Sequence, residues 1–477
     1  MIRLLSLLNS NLSAVVKRTQ AESLHAGVNI YLFPLLFFFY GLYYTDVLSA
    51  LSVLVTYQLL LENASNASII PIAIVSLCFR QTNVLWVSVF LGGLALCRSV
   101  PKGRPGNDFP KRPTFSQVVR ASWQHAAAYD ALISEASFEG YSTLSIKSTK
   151  QSLNIPSRLY QVRALFCCSE HCQSSACPSD TQSILGRPCC LRPVRHVERW
   201  YRTGYVAVLP YLFYACSQST GDKENHVVSI HLAQMLYLWP CFAFFSLPLL
   251  YPYVLSTMVS PTLLPATLRI NSTHSNRPRP LVAIPIMTGM TTIVYYNTLV
   301  HPFTLADNRH YTFYVFRILL RHPAIKYLAV PIYFLCAWAA IAALGGPQNA
   351  AASTSPSESR KGKSGVDIAQ SSSQPTASGN RASFLLVWLL ATTASLITTP
   401  LVEPRYFIVP WLMWRLHIAP LRKDTTAPRR ESDRPYEYRL WLETGWFLLI
   451  NAVTGYIFLT WGFEWPQEPG KVQRFMW

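Results

Sequence analysis

Apolar residues in this chain fall into blocks separated by polar connections of very unequal length. Ten blocks have the length and composition of a bilayer-crossing helix, which needs about 20 residues. They are residues 28–45, 47–61, 69–97, 204–216, 235–258, 281–298, 324–344, 384–400, 406–417 and 440–461. The blocks at 204–216 and 406–417 are short and suit re-entrant or interfacial segments. The block at 69–97 suits either one tilted helix or two short ones. No internal repeat is visible. The pattern therefore predicts an all-α polytopic membrane protein with about ten transmembrane helices.

Three connections are long and basic or polar. Residues 98–201 are basic, 353–382 are rich in Ser, Gly, Pro and Lys, and 421–439 mix many Arg with Asp and Glu. The second cannot bury a core and is expected to be disordered. Placing all three in the cytosol follows the bias of Lys and Arg toward that side. With ten crossings, both termini and the connections 62–68, 217–234, 300–326 and 401–405 are then lumenal. Asn63-Ala-Ser and Asn66-Ala-Ser would be glycosylation acceptors on that side, and Asn271-Ser-Thr would be silent. The expected organisation is an N-terminal lumenal segment (1–27), a first membrane bundle (28–97) and a basic loop (98–203). A membrane bundle carrying lumenal polar motifs (204–346), a disordered loop (347–383) and a C-terminal bundle (384–477) follow.

Composition supports the same class. Hydrophobic residues make up 51% of the 477 residues and charged ones 13%, about half the charged share of a soluble domain. The net charge of +18 would suit nucleic acid in a soluble protein, but the cations lie between apolar blocks, so no nucleic-acid partner is expected. Six of the 11 cysteines fall between Cys167 and Cys190. Their spacing is irregular and lacks paired ligands, so no structural zinc is expected. Residues 155–205 differ in composition from the rest and look like a mispredicted exon. Phosphate-cradling Gly-rich loops and nucleophile elbows are absent from the sequence.

Four polar motifs lie at block ends. His301-Pro-Phe-Thr-Leu-Ala-Asp307-Asn308-Arg309-His310-Tyr311 offers a carboxylate, an amide, a guanidinium and two imidazoles. Arg309 could grip a phosphate, and Asp307 could act as a base or hold Arg309; a wetted loop with an Asp–Arg pair is the equal alternative. Gly221-Asp222-Lys223-Glu224-Asn225-His226 could bind sugar and phosphate, or anchor a helix at the headgroups. Leu401-Val-Glu403-Pro404-Arg405-Tyr406-Phe407 places a charged pair at a hairpin corner, either as a structural clamp or as a substrate contact. Tyr43-Tyr44-Thr45-Asp46 sits at a cytosolic corner if 69–97 is one helix, and faces the lumen if it is two.

Together these motifs, with His231-Leu-Ala-Gln-Met-Leu-Tyr-Leu-Trp-Pro240 and the ending Gln473-Arg474-Phe475-Met-Trp477, resemble the dolichyl-phosphate-glucose-dependent alpha-1,2-glucosyltransferases of the endoplasmic reticulum. The resemblance spans most of the chain outside 155–205 and the Ser-rich loop. It implies a type C glycosyltransferase-like fold in the endoplasmic-reticulum membrane. It implies a dolichyl-phosphate-glucose donor, a diglucosylated dolichyl-diphosphate oligosaccharide acceptor, and no metal or other cofactor. Glucose would pass on the lumenal side with inversion, completing the precursor for protein N-glycosylation. Expected substrate contacts are Asp46, Asp222, Lys223, His226, His301, Asn308, Arg309, His310, Glu403 and Arg405. The catalytic base is unassigned, with Asp307 as a weak candidate, because the family's acidic first lumenal loop is expected upstream of where this chain begins. The rival readings are an inactive relative acting as a membrane binding or regulatory protein, and a transporter. A transporter would carry polar residues deep within its spans, whereas those noted here sit at span ends.

Overall fold

A computed structural model describes residues 1–10, 18–99, 133, 230–259, 263, 278–298, 300, 304–305, 307–346, 380–399, 401–421, 435–465 and 468–477. Apart from one hairpin, the regular structure among them is helical. After α1 (Ile2–Ser10), α2 (Gln20–Tyr31) is opened by a capping box. The Glu22 amide donates to the Thr19 hydroxyl, and the Thr19 amide donates to the Glu22 carboxylate, satisfying two donors that the first turn would leave orphaned. Pro34, which has no amide hydrogen to continue the ladder, starts α3 (Pro34–Gly41) at 58° to α2. Next come α4 (Thr45–Leu61), α5 (Asn66–Phe79) and α6 (Asn83–Ser99), the last containing a π-helical turn at Trp86–Leu91. The block at 69–97 is thus two helices, parted at Arg80-Gln81-Thr82.

Beyond the basic loop, α7 (Gln234–Phe245) and α8 (Leu247–Met258) meet at 107° around Ser246. They are followed by α9 (Pro280–Asn297), α10 (Tyr311–Leu319), α11 (Pro323–Gly345) and α12 (Ala382–Ile397). A 3₁₀ turn, Pro404–Phe407, leads into α13 (Ile408–Leu416) and then α14 (Tyr438–Thr460). Strands β1 (Gly462–Trp465) and β2 (Glu468–Arg474) close the chain as an antiparallel hairpin, with Gly462 opposite Arg474.

Among the described residues, two helices, α11 and α14, are long and apolar enough to cross a membrane alone; up to four spans result if each bent pair counts as one. Ten separate spans are not recovered. Proline and polar breaks divide the apolar blocks, so α4, α5, α6 and α12 are shorter than a full crossing, and block 204–216 lies outside the described residues.

The breaks share one apolar layer. Phe33, in the α2–α3 break, stacks on Trp411 with centroids 3.7 Å apart. The Trp411 indole donates to the Ser246 hydroxyl at 2.8 Å in the α7–α8 break. Asn451 of α14 donates to the freed Leu32 carbonyl at 2.9 Å. Trp388 and Trp414 are likewise buried with their indole hydrogens on the carbonyls of Pro410 and Ala340, as a buried tryptophan requires.

At one end of the bundle lies a buried charged network. Arg415 of α13 donates to both carboxylate oxygens of Glu443 on α14, at 2.7 and 2.6 Å, with 1% and 0% of the two side chains exposed. Asn29 of α2 donates to the same carboxylate. Beside them Arg439 donates to Glu437, and the Glu437 amide to Glu22. Arg18 donates to the Ile418 carbonyl. Polar groups are therefore not confined to helix ends, as the sequence pattern suggested. The pairing with Glu443 is what lets Arg415 sit inside an apolar segment.

The network fixes the sense of the neighbouring helices. α14 runs parallel to α2 and α3, with Asn29 beside Glu443, Leu32 beside Asn451 and Phe38 beside Phe458. The end of α3, the start of α4 and the hairpin therefore lie at the opposite end. α4 returns to the network end, where Tyr57 meets His417 and Glu62 meets Arg3. The sequons at Asn63 and Asn66 thus occupy the end away from Leu401–Arg405, contrary to the expected common side, and α1 lies with them. The cause is the extra pass made by α5, which reverses the sense of everything before it.

Candidate functional site

The end opposite the network gathers most of the described polar motifs. Asp46 lies in the first turn of α4 and is 4% exposed. One of its oxygens, Oδ1, pairs with Arg80 Nη2 at 2.9 Å, where the α5–α6 turn returns to it. Both Arg80 and Arg405 lie over the Tyr406 ring, 4.9 and 5.6 Å from its centroid, where the ring face attracts a cation. Arg405 is also ion-paired to Glu403. Burial alone would lower the Arg405 pKa, but the Glu403 carboxylate outweighs it and holds the guanidinium well above its ordinary value. Pro404 keeps Glu403 extended and so lets the pair form across one turn.

Asp46, Arg80, Arg405 and Tyr406 line a cleft together with Ser49, Thr82, Asn83, Trp86 and Ser395. Its free space is about that of one water molecule. Asn83 is locked, donating to the Ser76 carbonyl at 2.8 Å and accepting from Ser49 at 3.0 Å. Asp46 Oδ2 is buried and has no hydrogen-bond partner. The two-helix reading of 69–97 is the one that brings Asp46 beside Arg405; the single-helix reading would have put Asp46 at the opposite end from the Glu403–Arg405 pair. Arg80 was absent from the residues singled out in the sequence. Its signal was there: one cation in the middle of an apolar run needs a partner.

The His301–Tyr311 motif is built differently. Arg309 donates from Nε and Nη2 to Asp307, at 2.9 and 2.7 Å, and from Nη1 to the Gln473 side chain at 3.0 Å. The Met476 amide donates to the Arg309 carbonyl, and the Tyr311 amide to that of Met476. His310 Nδ1 lies 3.2 Å from the Trp477 oxygen, and its Nε2 3.6 Å from Asp307. Partial burial would raise the Asp307 pKa, but the hydrogen bonds from Arg309 overcome it and hold the carboxyl below its ordinary range. This loop is a clamp on the C-terminal strand, and Asp307 and Arg309 already serve each other. Asn308 sits in the turn between them.

A third group ties the start of α7 to the corner after α12. The His231 amide donates to the Ile397 carbonyl, and Gln234 Nε2 to the carbonyls of Thr399 and Leu401. Asn297 brackets Ile230 and Leu232. Asp222, Lys223, His226 and His301 lie outside the described residues, as do the Cys-rich stretch and most of the Ser-rich loop.

Comparison with known proteins agrees with the motifs. The family model described as "DIE2/ALG10 family" matches residues 1–416. A protein of Aspergillus fumigatus is 37% identical over 95% of this chain and 78% of its own length, and one of Emericella nidulans matches to the same extent. A protein of Pyricularia oryzae is 33% identical over 95% of this chain and 73% of its own. All three are named Dol-P-Glc:Glc(2)Man(9)GlcNAc(2)-PP-Dol alpha-1,2-glucosyltransferase. No solved structure matches the chain. A family match over most of the sequence, and relatives aligned along nearly all of it, place this chain in the DIE2/ALG10 family.

Proposed function

We propose that this protein transfers glucose from dolichyl-phosphate-glucose to a diglucosylated dolichyl-diphosphate oligosaccharide in alpha-1,2 linkage, in the endoplasmic-reticulum membrane. The names of its relatives supply the reaction. The observation that carries it to this chain is the meeting of Asp46, Arg80 and Arg405 in one cleft, with Glu403 ion-paired to Arg405, at the same end as the Asp307–His310 clamp. The described flanks of the three basic stretches support a lumenal cleft. Arg98 reaches the Leu60 carbonyl, Asn380 joins Leu344 to His417, and Leu421 meets Glu437, all at the network end. Cytosolic placement of that end leaves the cleft facing the lumen. A full set of about ten crossings belongs to this reading, with the shorter helices completing spans in pairs or at a tilt.

In the transfer, an acceptor hydroxyl oxygen attacks the anomeric carbon of the donor glucose. The bond from that carbon to the phosphate oxygen breaks, and dolichyl phosphate leaves with the electron pair. Cationic side chains stabilise such a leaving group, and Arg405, held over the Tyr406 ring, is the candidate among the described residues. Arg309, spent on Asp307 and Gln473, acts by holding the clamp. The hydroxyl proton passes to a base for which no described residue is assigned. Expression in cells lacking the last dolichol-linked glucosylation step tests the reading. Appearance of a third glucose on the lipid-linked glycan is expected; its absence, with the protein present in the membrane, refutes it.

A further inference from the structure

We propose that Asp46 and Arg80 form a recognition subsite for a single sugar hydroxyl: Arg80 holds Oδ1 of the carboxylate, and Oδ2 accepts a hydrogen bond from the substrate. This rests on the glucosyltransferase reading and gives it a first named contact.

Asp46 is buried, yet only one of its two oxygens is used. Oδ1 takes Arg80 at 2.9 Å, while Oδ2 has no donor. A buried acceptor left bare is costly, so such a group is retained where something supplies the missing hydrogen. Around it, Asn83 is spent on Ser49 and the Ser76 carbonyl, and Ser49 on Asn83. Neither can turn to Oδ2 without breaking the lock.

The chemistry of the missing partner is constrained. A phosphate oxygen would be repelled by the carboxylate, whereas a hydroxyl donates to it. The cleft admits about one water-sized group, so it fits a hydroxyl substituent and not a sugar ring. Arg80 is itself fixed over Tyr406, so the carboxylate meets the substrate already oriented. Arg80 is a positioning residue, and Asp46 is the one that touches the sugar. The hydroxyl can belong to the donor glucose or to the acceptor, and the test separates them.

Asp46→Asn keeps the shape and replaces the bare acceptor with a donor. Glucose transfer is measured with a short-chain polyprenyl-phosphate glucose and a short glucosyl-lipid acceptor, each also supplied as a series of single-deoxy forms. Loss of a hydrogen bond to a charged group corresponds to roughly 10- to 150-fold in kcat/KM. Asp46→Asn is expected to lose that much while still folding, with a lowered melting point because Arg80 loses its counter-charge. One deoxy substrate should cost the unmodified enzyme the same factor and cost Asp46→Asn nothing further; whether it is a donor or an acceptor names the sugar. Equal activity of Asp46→Asn and unmodified enzyme overturns the proposal, as does an equal further loss by both on every deoxy form. Should Asp46→Asn unfold, the exchanged pair Asp46→Arg/Arg80→Asp is read instead. It keeps the attraction between α4 and the α5–α6 turn but moves the free acceptor. Folded and inactive supports the subsite; folded and active reduces the pair to a staple and overturns it. Failure of the unmodified enzyme with every substrate would fail the reading beneath, which is a different result.

Discussion

Replacing Glu443 by Ala would leave the Arg415 guanidinium buried without its counter-charge. Both partners are almost wholly enclosed, and two hydrogen bonds of 2.7 and 2.6 Å join them. Asn29 would lose its bond to Glu443 but keep the one to the Leu440 carbonyl. Breaking one partner of a buried pair costs about 3–5 kcal/mol, because the remaining charge stays desolvated. At about 2–4 °C per kcal/mol, the melting point should fall by between about 6 and 20 °C. The assay is retention of the monodisperse peak on size-exclusion chromatography after heating in detergent. The companion Arg415→Met/Glu443→Leu removes both charges and fills the volume, and should recover most of the loss. If Glu443→Ala melts with the unmodified protein, the network is not desolvated as described. If the double variant is as unstable as the single, packing and not stranded charge sets the cost.

Three further outcomes follow from local geometry. A Cβ at Gly93 would lie 2.8 Å from a Val387 methyl, so Gly93→Ala should cost about 1–3 kcal/mol, and adding Val387→Ala should restore the melting point. Asn451→Ala removes the donor to the Leu32 carbonyl at the α2–α3 break and should destabilise by about 1 kcal/mol, read by the same melting assay. Because the Asp307 carboxyl titrates below its ordinary value, its contribution is complete above about pH 3.9 and is lost as pH falls through the lower folded value. The melting difference between unmodified protein and Asp307→Asn should therefore be the same at pH 7 and pH 5 and shrink on acidification toward pH 3. A difference that already shrinks between pH 7 and pH 5 would refute the Arg309 clamp.

The helical class was plain in the sequence because long apolar blocks admit few alternatives. Helix number was not, because apolar length does not reveal where proline or a polar turn breaks a helix. The stretch 69–97 shows this: Arg80-Gln81-Thr82 reads as a minor interruption, yet it turns the chain and brings Arg80 to Asp46. The expected common side of Asn63, Asn66 and Leu401–Arg405 gave way for the same reason, since reading 69–97 as two helices inverts all that precedes it. Among the site motifs, the Asp307–Arg309 pair and the Glu403–Arg405 pair were legible as pairs, being two residues apart. Their roles were not. Only Gln473 and Met476, more than 160 residues away, make the first a clamp. Arg415 and Glu443 were passed over as parts of apolar segments, although opposite charges in two such segments are a pairing signal.

The buried network also sets a schedule for biogenesis. Glu22 is tied to the amide of residue 437, a separation of 415 positions, and Arg18 to a carbonyl 400 positions on. At ribosomal rates of about 5–20 residues per second, roughly 20 to 80 seconds pass between synthesis of α2 and of its partners. Throughout that interval the nascent chain carries unmatched charges that belong inside the finished bundle. The insertion machinery must shelter them or hold α2 near water, and a helix made early is among the last to settle.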